Sequence, residues 1–75
     1  MEYRIIFAER IAKLRKDSNL SMSELGKIVG VSDEAIRLME RGKRAPSFDV
    51  LLQLSDYFHV SLDYLCGRSD NPNIN

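Results

Sequence analysis

Seventy-five residues make one small domain, with room for one core and none for the deep, water-excluding pocket that most enzymes need, so no catalysis is expected. Hydrophobic residues at 44% and charged residues at 29% are ordinary globular values, and the longest apolar run, Ile5 to Ala8, can neither span a membrane nor form a signal-peptide core, so the expected location is cytoplasmic. Net charge is zero, but residues 1 to 47 hold ten Lys/Arg and seven Asp/Glu, whereas residues 48 to 75 hold one Arg and four Asp. A neutral chain can therefore present one basic face, and its excess peaks at Arg37, Arg41, Lys43 and Arg44.

Phe7, Ile11, Leu14 and Ser18 recur at helical spacing, with Ala8, Ala12 and Arg15 beside them. Glu9, Arg10, Lys13 and Lys16 fill the other face. The pattern predicts a first helix from about Ile5 to Asp17, ended by "DSNLS". Ser21 opens a second helix through a capping box, "SMSE", in which the Ser21 hydroxyl accepts from the Glu24 amide and Glu24 reaches back to the Ser21 amide. Leu25, Ile28 and Val29 make its inner stripe, and Gly30 closes it. Only "GVS" separates this helix from the next, so the two must cross closely.

Ser32 caps the third helix, which carries Ile36 and Met39 inward and ends before Gly42. "GKRAPS" is a loop, because Pro46 disfavours a helical Ala45. Ser47 caps a fourth helix with a stripe of Leu51, Leu54, Ser55 and Phe58. Ser61 caps a short fifth helix through Leu65 and Cys66, stopped by Gly67. Residues 68–75, "RSDNPNIN", are polar and read as a flexible tail beyond a domain at 1–67. No run alternates with period two, so the fold class is all-α, a compact five-helix domain.

The second and third helices meet the requirements of a helix-turn-helix. Gly26 sits where the two press together, and Gly30 makes the turn. Leu25, Val29, Val31, Ile36 and Met39 face the shared core, so seven positions agree over residues 22 to 41.

With these stand "ERIAKLRK" in the first helix, "LSMSELGKIVGVS" through the turn, "MERGKRAPS" after the third helix and "LLQLSDYFHVSLDYLCG" at the end. Over roughly residues 5 to 67 the chain resembles the phage-repressor/Cro type of DNA-binding domain, called XRE-like. The resemblance implies a five-helix repressor-like fold that reads the major groove of double-stranded DNA with its third helix, about residues 33–41. It implies a homodimer on an operator-like, two-fold site, acting as a transcriptional repressor. It implies no cofactor and no small-molecule ligand.

The resemblance also implies roles for single residues. Ser21 and Met22 match positions that approach a phosphate at the start of the second helix, although Met22 stands where relatives often carry Gln, which leaves the bare amides to meet an anion. Arg15 and Glu40 match an ion pair that ties the first helix to the third. Asp33, Glu34 and Leu38 match reading positions, with Arg37 between them, and Arg41, Lys43 and Arg44 match a stretch that meets the phosphate backbone.

Two acids at the start of a reading helix need a reason. The helix dipole alone favours Asp33 and Glu34 in the first turn. In contact with DNA, a carboxylate can accept from cytosine N4 and Leu38 can touch a thymine methyl, and the preferred expectation is that Arg37 reads a base while the acids orient it or reject wrong sites. Asp33 and Arg37 stand at i, i+4, and Glu34 and Arg37 at i, i+3, so either acid could hold the guanidinium.

Other chemistries lack their parts. One cysteine excludes an internal disulfide, and the single His59 with Cys66 falls two ligands short of a tetrahedral metal site. His59 is placed instead near the end of the fourth helix, where a cation is favoured. The competing reading is a protein-interaction module on the same scaffold, with Asp33, Glu34 and an exposed Leu38 as its contact face.

Overall fold

Five helices follow one another, and no strand occurs among the described residues: α1 (Tyr3–Asp17), α2 (Met22–Val29), α3 (Asp33–Glu40), α4 (Phe48–Phe58) and α5 (Leu62–Leu65). The structure, a computed structural model, describes residues 2–74. Residues 1 and 75, the outer limits of the expected 1–67 and 68–75 segments, lie outside the described residues.

Four of the helix starts are set by serines. Ser21, Ser32, Ser47 and Ser61 are extended, and each side chain accepts from the amide three residues on. Each bond satisfies an amide that a helix start leaves without an intrahelical partner. The Ser21–Glu24 capping box is complete, at 2.9 Å and 2.8 Å. α1 begins at Tyr3 rather than Ile5, because the Glu2 carboxylate accepts from the Arg4 amide and caps an earlier turn. The end of α1 uses a left-handed Asn19 (φ 58°), which lets the Leu20 amide reach the Arg15 carbonyl at 3.1 Å.

One cluster joins all five helices. Phe7, Ile11, Leu25, Val29, Ala35, Ile36, Met39, Val50, Leu54 and Leu65, with Val60 from the α4–α5 turn, fill it. Fully burying the Phe, Ile, Leu, Val and Met side chains among them contributes about 1.5–3 kcal/mol each. Leu14, Leu51 and Phe58 flank the cluster rather than fill it, and Val50 takes the inner place on α4. Ile28 is exposed, not inner, and Ser18 is an exposed cap. Leu25, Gly26 and Val29 already form the buried side of α2, and a step of about 100° per residue turns Ile28 away from it.

Arg10 departs from its expected solvated face. Its guanidinium lies 4.2 Å from the centre of the Tyr64 ring and donates to the carbonyls of Tyr64 and Ser69. It also meets the Asp70 carboxylate at 2.8 Å, and the Ser61 amide donates to the Pro72 carbonyl at 2.9 Å. These bonds tie residues 69–72 of the expected 68–75 tail to α1 and to the start of α5. Arg10→Ala is expected to cost about 2 kcal/mol, from lost charge-assisted bonds and the cation–ring contact. A urea titration reads the loss, and hydrogen exchange at the Ser61 amide should quicken. Unchanged exchange there would show that Arg10 does not hold this segment.

No helix among the described residues is long and apolar enough to cross a membrane.

Candidate nucleic-acid interface

The α2–α3 pair is held by backbone contact at the turn. Gly30 ends α2 in a left-handed conformation (φ 77°), and the Val31 amide then donates to the Gly26 carbonyl at 2.8 Å. A β-carbon on Gly26 would stand 2.5 Å from the Val31 carbonyl oxygen and 3.2 Å from the Ser32 carbonyl carbon. The close approach expected at Gly26 is therefore made to the turn backbone rather than to the body of α3. Gln53 of α4 donates to the Val29 carbonyl at 3.4 Å, which fixes the end of α2 from a third helix.

α3 turns Ala35, Ile36 and Met39 into the core and is tied to α1 by a buried ion pair. Arg15 Nε donates to Glu40 Oε2 at 2.5 Å, and Nη2 donates to Oε1 at 2.9 Å. Arg15 Nη1 donates to the Leu20 carbonyl at 2.9 Å. The two side chains are only 11% and 6% exposed. Hydrogen bonding to Glu40 raises the Arg15 pKa above its ordinary value and outweighs burial, which opposes it.

The face of α3 turned away from this core carries Asp33, Glu34, Arg37 and Leu38, continued by Arg41. Glu34, not Asp33, holds Arg37: Nε donates to Oε1 at 3.1 Å and Nη2 donates to Oε2. Asp33 is turned to the helix start instead, where its carboxylate accepts from the Glu34 amide at 2.9 Å. The bond from Arg37 lowers the Glu34 pKa, with nearby Arg41 adding to the effect. Leu38 is half-buried, which corrects the exposed contact residue of the competing reading.

At the start of α2, Ser21 is exposed, whereas the Met22 side chain packs against the core. Met22 thus presents only its amide. The Glu24 carboxylate accepts from the Ser21 amide, and that bond holds its pKa below the ordinary value. Beyond α3, Gly42 is left-handed (φ 72°), and the Lys43 amide donates to the Leu38 carbonyl at 2.9 Å. Arg41, Lys43 and Arg44 are exposed at this helix end.

His59 ends α4 in a left-handed conformation, and burial pushes the half-buried Cys66 thiol pKa up. Among the described residues, no group of three or more His, Cys, Asp or Glu side chains could hold a metal ion. The residues that sequence reasoning missed are Arg10 and Gln53. Both act on backbone carbonyls at least 24 positions away, and carbonyls leave no mark on side-chain periodicity.

Residues 11–65 match the family model described as Helix-turn-helix. The chain is 42% identical over 60 residues to repressor protein C2 of Salmonella phage P22, covering 80% of this chain and 28% of that protein. It is 30% identical over 67 residues to an uncharacterised HTH-type transcriptional regulator of Bacillus subtilis, YobD, covering 89% of this chain and 60% of that protein. The chain thus spans about three fifths of the length of that relative. A crystal structure of the P22 c2 repressor in complex with a synthetic operator shares the fold with a TM-score of 0.80 at 39% identity, covering 85% of this chain and 97% of that one.

Proposed function

Since this chain belongs to the helix-turn-helix family, we propose that it is a sequence-specific regulator of transcription that binds double-stranded DNA and acts as a repressor. The observation that carries this reading is the seating of α3. A buried bidentate pair and three core side chains hold it from behind, so its outer face meets a groove as a fixed surface. The P22 repressor likeness supports the same reading. Its setting is the cytoplasm, where a bacterial or phage regulator meets its DNA.

In this reading α3 enters the major groove with Asp33, Glu34, Arg37 and Leu38 toward the base edges. The first amides of α2, at Met22 and beyond, meet one phosphate with the Ser21 hydroxyl beside them, since a helix start favours an anion. Arg41, Lys43 and Arg44 meet the backbone at the other end. Residues 1–67 carry the DNA-binding unit, and 68–75 lie outside the contact. A homodimer would place two copies of α3 about one helical turn, roughly 34 Å, apart on a palindromic site.

The test is a selection of bound sequences from random duplex, run with a salt titration. Each phosphate contact should contribute a slope of about −0.9 in the logarithmic dependence of affinity on salt. Lys43→Gln with Arg44→Gln should make the slope shallower by nearly two such steps. An unchanged slope would move the backbone contact elsewhere. No binding to any duplex at low salt would favour the protein-interaction reading. A monomer at all concentrations, free and on DNA, would remove the two-fold arrangement.

A further inference from the structure

The structure contains the same arginine–glutamate fork twice, in two settings. In both, Nε and Nη2 of the arginine donate to the two oxygens of one carboxylate. A guanidinium has five N–H donors in one plane. This fork uses the side edge, one hydrogen on Nε and one on Nη2, and leaves the end edge, one hydrogen each on Nη1 and Nη2. In Arg15 the end is closed, because Nη1 donates to the Leu20 carbonyl and the pair is buried. In Arg37 the pair is open to solvent, at 40% and 59% side-chain exposure, and Nη1 has no hydrogen-bond partner among the described residues.

We propose that Glu34 is a positioning residue that fixes Arg37 by its side edge and aims the end edge at the O6 and N7 acceptors of a guanine in the major groove. This rests on the DNA-binding reading above and makes it specific. An arginine meets guanine through two parallel N–H donors, and the end edge has that form. An unrestrained arginine on a groove-facing helix would also serve any phosphate within reach, because its charge is attractive everywhere along the duplex. Paired with Glu34, Arg37 adds no net charge, so its donors count chiefly where a matching base edge stands. Asp33 takes no part in the fork, since its carboxylate is engaged at the Glu34 amide. Arg41, two turns further on, acts on Glu34 only through its charge and does not displace Arg37 from it.

The experiment compares the wild type with Glu34→Ala, Glu34→Gln and Arg37→Lys, each carried on an exposed or half-exposed side chain outside the core. Sites are first selected from random duplex, and the guanine at the position that changes with Arg37→Lys is then replaced by 7-deazaguanine, which lacks the N7 acceptor. Wild type should lose about tenfold in affinity on that replacement. Glu34→Ala should show little penalty and bind random duplex more tightly, with a steeper salt dependence. Glu34→Gln should fall between them, since its amide oxygen still accepts one bond. Arg37→Lys keeps the charge and can still reach a guanine acceptor, but without the planar fork its guanine preference should weaken and no longer depend on Glu34. A 7-deazaguanine penalty that is the same in wild type and Glu34→Ala would overturn the positioning role. A selected site with no guanine under Arg37 control would overturn the base assignment. Absence of any selected sequence for the wild type would instead defeat the DNA-binding reading itself, and this inference with it.

Discussion

Glu40→Ala is expected to lose about 3–5 kcal/mol of folding stability, a large share of the roughly 5–15 kcal/mol that holds a typical domain. The loss comes less from the missing attraction than from what remains. Arg15 would stay mostly buried, still bound to the Leu20 carbonyl but with two donors facing no acceptor. The expected result is a thermal or urea midpoint far below wild type. DNA affinity should drop as well where the protein is still folded, because α3 is tied to α1 through this carboxylate. Replacing both partners, Arg15→Met with Glu40→Leu, should recover most of the stability, since no buried charge is left unpaired and only the Leu20 carbonyl loses a donor. If Glu40→Ala cost less than 1 kcal/mol, water would have to reach Arg15 freely, contrary to its 11% side-chain exposure.

Gly26→Val is expected to cost about 3 kcal/mol, the upper part of the usual range for overpacking. The nearest atom is a backbone carbonyl oxygen at 2.5 Å, which cannot rotate aside as a flexible side chain would. The turn must open, and α3 moves with it. Gly26→Ala meets the same carbonyl with its β-carbon but lacks the two γ-methyls of valine and has the better helix propensity, so it should cost less. Gly30→Ala is the control. Nothing lies within 4 Å of a β-carbon there, so its cost is the left-handed conformation alone, about 1–2 kcal/mol. Denaturant titrations of the three variants should rank Gly26→Val as the most damaging. A larger loss at Gly30 would mean that turn conformation, not close approach, governs the pair.

The serine caps were legible because a cap and its amide lie three residues apart, as in "SMSE" and at Ser32 and Ser47. Gly30 and the short turn were legible for the same reason: their cause is local. The start of α1 was not, since Glu2 is a less common cap than Ser and left no expected signal. Ile28 misled because an apolar residue beside a buried stripe has the same spacing as one within it, and only the seating of α2 on the turn decides between them. Arg10 misled because its charge suits a solvated face, while its partners are Tyr64 and the carbonyls that follow α5.

At the interface, the amino-acid order alone determined which residues α3 carries, which stripe turns inward and that its first turn is acidic. Those properties follow from the 3.6-residue period and from caps within one turn. It left two carboxylates equally placed to hold Arg37. Side-chain conformation decided that Glu34 takes it while Asp33 serves the helix start. The packing of α1 against α3 likewise made Arg15 and Glu40 a buried pair rather than two surface charges. The physical reason is common to both: spacing along a helix limits which groups can meet, but hydrogen bonds are directional and burial depends on neighbours far away in the chain.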